Sequence, residues 1–167
     1  HFDEPHPFAF ESATEHYAAD RPVRPEHLKI EVTLDFKRSA IRGVCTTRLI
    51  AVRKVHAVTF DAVELRIERV EVDARAADFD ADGKQLHVHL SKALEPGATA
   101  TVRITYRAQP RRGLYFIHPD KAYPKRPTQA WTQGQDEDSR YWFPCLDAPA
   151  QKATTEVIAT FPARMSC

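Results

Sequence analysis

The chain has 167 residues, 43% of them hydrophobic, which suits one large domain with a real core. Lys and Arg number 24 against 23 Asp and Glu, a formal charge of +1 with both signs interspersed, so nucleic acid and anionic membrane surfaces are poor partners. Apolar runs fall far short of the ~20 residues that cross a bilayer, and no basic-then-apolar leader opens the chain.

Residues 1–24 hold Pro5, Pro7 and Pro22 and no sustained period, which predicts an extended N-terminal arm ahead of a domain over 25–167. From Leu28 the pattern becomes strict alternation. Leu28, Ile30, Val32, Leu34 and Phe36 share one face of a strand, and each buried side chain is worth roughly 1.5 to 3 kcal/mol. A turn is expected over Ser39–Gly43, then a β-branched strand from Val44 to Val52. Val55–Phe60 reads as a strand, and Leu65–Val72 as a strand or a short helix.

Asp82-Gly83, between Phe79-Asp80 and the alternating Leu86, Val88 and Leu90, marks a hairpin. Glu95-Pro96-Gly97 is a turn, Thr101–Arg107 alternates again, and Leu114–Ile117 is a short apolar strand. The proline-rich stretch 118–127 is a loop, and Thr154–Phe161 is a closing strand with Glu156, Ile158 and Thr160 on one face. With no amphipathic helix anywhere, the expectation is an all-β fold with mixed sheets and little helix, a sandwich or open barrel.

Between Ala130-Trp131 and Tyr141-Trp142-Phe143 lies the polar run Gln133–Ser139, which predicts a segment buried at both ends with an exposed middle. If that middle is extended, Gln133 and Gln135 point to the same side, and Gly134 between them leaves room for a ligand's backbone. Two such amides can accept from an α-amino group and donate to a carbonyl. Other groups read as structural. Asp136, Glu137 and Asp138 lack the spacing of a calcium loop; His87 and His89 form a surface pair without a third ligand. Cys145 is expected to be buried, Arg140 and Asp147 to pair across a bend, and Arg111-Arg112 to be solvated. Cys45, Cys145 and Cys167, odd in number and far apart, suit reduced thiols and a cytoplasmic protein.

Several of these elements also carry a resemblance. Thr132-Gln133-Gly134-Gln135, Arg140-Tyr141-Trp142-Phe143-Pro144-Cys145-Leu146-Asp147-x-Pro149 and Lys152-Ala153-Thr154-x-Glu156 resemble the end of the N-terminal domain of M1-family zinc aminopeptidases. Weaker echoes lie in Arg24-Pro25-x-His27, Leu86-x-Val88-x-Leu90, and Tyr106 ahead of Gly113-Leu114-Tyr115-Phe116, so the likeness covers roughly Arg21 to Pro162. It implies a curved, saddle-like β domain in which Gln133 and Gln135 bind the substrate's N-terminus.

The family's His-Glu-x-x-His and Gly-x-Met-Glu-Asn motifs do not occur, and no two histidines stand four apart. The resemblance therefore implies that this chain holds no catalytic or metal-binding residue. Zinc and the catalytic domain would lie further along the intact enzyme, with peptides as substrates and this piece inactive alone. The alternative is a non-catalytic β-sandwich interaction module derived from the same family, distinguished by the absence of a zinc helix from the intact protein.

Overall fold

The computed structural model describes residues 20–166. Among them eleven strands and one short 3-10 turn account for the regular structure. In chain order they are β1 (Val23–Asp35), β2 (Ala40–Ala51), β3 (Val55–Asp61), β4 (Arg66–Val72), β5 (Arg75–Ala76) and β6 (Phe79–Ala81). Then come β7 (Gln85–Leu94), β8 (Thr99–Ala108), β9 (Leu114–Ile117), β10 (Gln129–Thr132), the 3-10 turn Ser139–Tyr141, and β11 (Thr154–Thr160).

The strands form three sheets, none closed into a barrel: β11-β1-β2-β8-β4-β5, β3-β7-β6 and β10-β9. The largest is mixed, because β11 runs parallel to β1 while the other pairs are antiparallel. The all-β expectation therefore holds in its sandwich form.

Period-2 patterning builds the core. Ile30 and Val32 of β1, Cys45 and Leu49 of β2, and Val102 and Ile104 of β8 turn to one side of the large sheet. They join Val58, Phe60, Leu86 and Val88 of the three-stranded sheet in one buried cluster. Asp82-Gly83 turns β6 into β7 as expected, with Gly83 at φ +85° and Asp82 Oδ1 accepting from the N–H groups of Lys84 and Gln85. Those backbone bonds hold the Asp82 carboxyl below its usual pKa.

Two sequence expectations change. The helical option for Leu65–Val72 fails: β4 pairs with β8 and β5, and Val70 is buried between the sheets. The turn expected over Ser39–Gly43 lies earlier, at 36–39, since Asp35 Oδ1 accepts from the N–H groups of Lys37 and Arg38 and Ser39 takes the left-handed position at φ +48°. Gly43 serves packing instead. It sits within β2 opposite Tyr106, whose ring covers it, and an added Cβ would lie 2.5 Å from Tyr106 Cζ.

Gly43→Ala should cost about 1–3 kcal/mol in urea unfolding through this overpacking. Tyr106→Phe is the control: its buried hydroxyl has no partner among the described residues, so removing it should cost little. A fully stable Gly43→Ala protein would contradict the packing account. The arm predicted for residues 1–24 lies mostly outside the described residues.

Candidate functional site: a polar loop on fixed supports

Strand β10 pairs with β9, setting Trp131 opposite Tyr115, and the two rings stack with centroids 4.7 Å apart. The chain then leaves the sheet. Gln133 follows the end of β10, donating its N–H to Gly113 O at 2.9 Å, and Gln135 opens the turn that runs to Asp138. Asp138 closes that turn through its N–H to Gly134 O at 3.1 Å; the Gln135–Asp136 peptide bond is cis.

Both glutamine side chains are exposed, and neither forms a side-chain hydrogen bond among the described residues. The extended backbone invoked for the pair thus reaches Gln133 and gives way to a turn at Gln135.

The loop is packed closely on both sides. Gly113 has φ +75°, and its Cα faces the loop so closely that a Cβ would meet Asp138 O at 2.1 Å. Arg112 pairs with Asp138 at 3.3 Å and lies over the Tyr141 ring. Past the loop, the buried run Trp142 to Leu146 plugs into the core, and Cys145 exchanges both backbone hydrogen bonds with Asp61.

The expected pairing of Arg140 with Asp147 is present: Arg140 donates Nε–H and its backbone N–H to Asp147 Oδ2, each at 3.0 Å. Burial pushes the Asp147 carboxyl up, against the pull of Arg140. Sequence reading missed the next link. Asp61, buried at the end of β3, accepts from Arg21 Nη2 and from the Asp147 N–H, so one carboxylate ties the start of β1 to the end of the loop. Nothing in residues 40 or 86 apart signals such a partner.

One expectation is overturned. The segment is buried at its far end only: Trp142 is 7% exposed but Trp131 is 48% exposed. The two-stranded β9-β10 sheet does not bury that ring, which lines a cavity of about 320 Å³ together with Val32, Leu34, Leu114 and Trp142. Neither glutamine lines it.

The remaining candidates separate. His87 meets Thr59 at 2.9 Å and His89 meets Asp80 at 2.7 Å, each on its own partner. Asp138 and Glu137 are engaged with Arg112 and Arg140. Cys45 and Cys145 are buried, and burial pushes the Cys45 thiol up to about 12 and the Cys145 thiol well above its ordinary value. Among the described residues no three His, Cys, Asp or Glu side chains gather as a metal site. No helix among them is long and apolar enough to cross a membrane.

The profile of the peptidase M1 N-terminal domain matches residues 24–166. The chain belongs to that family.

Leucine aminopeptidase 2 of Phaeosphaeria nodorum is 24% identical to this M1 N-terminal domain over 136 residues, covering 77% of this chain and 22% of the relative. Aminopeptidase B of Rattus norvegicus is 30% identical over 84 residues, 50% of this chain and 13% of the relative. In fold, the domain is similar to an M1 zinc metallopeptidase of Deinococcus radiodurans bound to a Tyr-Ser-Ala substrate. The TM-score is 0.73 at 21% identity, over 86% of this chain and 33% of that one. Yeast leukotriene A4 hydrolase in complex with bestatin gives 0.71 at 21% identity, over 90% and 26%. The domain thus spans between about an eighth and a third of the chains it matches.

Proposed function

We propose that this chain is the substrate-anchoring N-terminal domain of a zinc aminopeptidase, in which Gln133 and Gln135 receive the free amine of a peptide. Membership of the M1 N-terminal family supports the general assignment, as do relatives that are aminopeptidases. The observation that carries the finer one is the loop itself: two exposed amides with no partner among the described residues, on a segment held at one end by Gly113 and at the other by Arg112 and Arg140.

Fixing the loop in advance removes ordering cost at the moment of binding. A neutral amide oxygen accepts from an ammonium group but supplies less than a carboxylate would, so this pair orients the amine while charge recognition falls to another part of the protein. Zinc and the bond-breaking residues belong, on this reading, to the catalytic domain of the same protein. The isolated domain is inactive, and the reduced thiols suit a cytoplasmic enzyme.

The intact protein should release N-terminal residues from short peptides and lose that activity on chelation, regaining it with zinc. This chain alone should release none. An intact protein that leaves free-amine peptides uncut, or cuts them equally well after exhaustive chelation, would refute the assignment.

A further inference from the structure

The register of the large sheet puts three arginines in one row. Arg107 of β8 pairs with Arg42 of β2 on one side and with Arg66 of β4 on the other. Residues directly opposite across antiparallel strands share a face, so three guanidinium groups start from neighbouring positions about 4.8 Å apart in the sheet. Like charges so placed repel and do not stabilise a fold by themselves.

The row opens into a cleft of about 1290 Å³, where Arg38 and Arg111 join it against the carboxylates of Asp35 and Glu64. Those carboxylates are already used: Asp35 by Arg38, Glu64 by Arg111, and nearby Glu68 by Arg107. Among the described residues, Arg42 and Arg66 form no ion pair, and both are exposed. The cleft therefore presents two guanidinium groups with donors to spare inside a field of net positive sign.

One short segment of chain connects the cleft to the support of the glutamine loop. Gln109, Pro110 and Arg111 line the cleft, Arg112 pairs with Asp138, and Gly113 O accepts from Gln133. We propose that the Arg42–Arg107–Arg66 row is a secondary docking site for acidic residues of a peptide substrate whose amine end is held at Gln133 and Gln135. The assignment rests on the reading of those two residues given above.

Guanidinium forks bind carboxylates with two parallel hydrogen bonds, and an open, salt-accessible cleft favours reversible capture. The interleaved carboxylates of Asp35, Glu64 and Glu68 suit a ligand of a few separated charges and oppose the dense charge of a nucleic acid or polyphosphate.

Two measurements test it. Fluorescence anisotropy on the full chain uses a labelled peptide with several glutamates after a neutral start, beside a matched serine peptide and tripolyphosphate. The glutamate peptide should bind, weakening roughly tenfold or more between about 50 and 300 mM salt and again in Arg42→Glu/Arg66→Glu. Arg42→Gln/Arg66→Gln should weaken it less, and neither pair should lower the melting temperature.

In the intact enzyme the glutamate peptide should have a lower KM than the serine peptide, with kcat little changed, and the charge reversal should erase that difference while leaving turnover of the serine peptide intact. Equal affinity of wild type and charge-reversed chain, or tripolyphosphate binding more tightly than the peptide, would overturn the site. Binding without any KM preference would overturn its role for substrates. Failure of the broader reading looks different: no peptide of either kind is cut, while anisotropy still decides whether the row takes carboxylates.

Discussion

Replacing Gly113 by alanine is expected to destabilise the domain by about 2–4 kcal/mol and to dislodge the glutamine loop from its support. Two costs combine. The left-handed φ of +75° strains any L side chain, at about 1 kcal/mol or more. The new Cβ would stand 2.1 Å from Asp138 O and 2.8 Å from Trp142 Cδ1, so the backbone of the loop or its aromatic plug must shift, an overpacking cost of about 1–3 kcal/mol. Moving Asp138 outward breaks the geometry that fixes Gln133 through Gly113 O. In urea unfolding followed by tryptophan fluorescence the midpoint should fall. In the intact protein kcat/KM for peptides should fall further than the stability loss alone predicts at temperatures where the variant is folded. Wild-type stability would mean that Gly113 and Asp138 are not in this contact.

The second large effect is predicted at Asp61. The residue is 4% exposed, and its carboxylate pairs with Arg21 and accepts the N–H of Asp147. In Asp61→Ala the largely buried Arg21 guanidinium loses its counter-charge and the Asp147 N–H loses its acceptor. Breaking one half of such a pair costs about 3–5 kcal/mol, well above the 0.2–1 kcal/mol of an exposed ion pair. Asp61→Asn keeps an acceptor and should fall between. Additional substitution of Arg21 by a neutral residue should recover part of the loss, because no orphaned charge remains. A double variant no better than Asp61→Ala alone would contradict this ordering.

The pattern of side chains along the chain made most strands legible, and the reason is local. Alternation in Leu28–Phe36, β-branched Val44–Val52, and Asp82-Gly83 each report the backbone state of their own residues. Partnership is different. Strand β11 lies beside β1 with Thr154 opposite His27, and Asp61 bridges residues from three parts of the chain; no periodicity encodes either. Trp131 shows the same limit, since an aromatic residue ahead of a polar run predicts burial only if something covers it. The glutamine pair was visible as a polar run between aromatics, but its support by Gly113, twenty residues earlier than Gln133, was not. Gly43 was misread as a turn glycine because a space reserved for a distant tyrosine ring leaves no local trace.

The proposed role of the loop is most directly measured by steady-state kinetics on the intact protein with Gln133→Ala, Gln135→Ala and the double variant, using an unblocked tripeptide. The prediction is a fall in kcat/KM of roughly tenfold or more for each single change, a smaller additional fall in the double because both hold one amine, and unchanged bound zinc and thermal stability. Wild-type kcat/KM in the double variant would contradict the account.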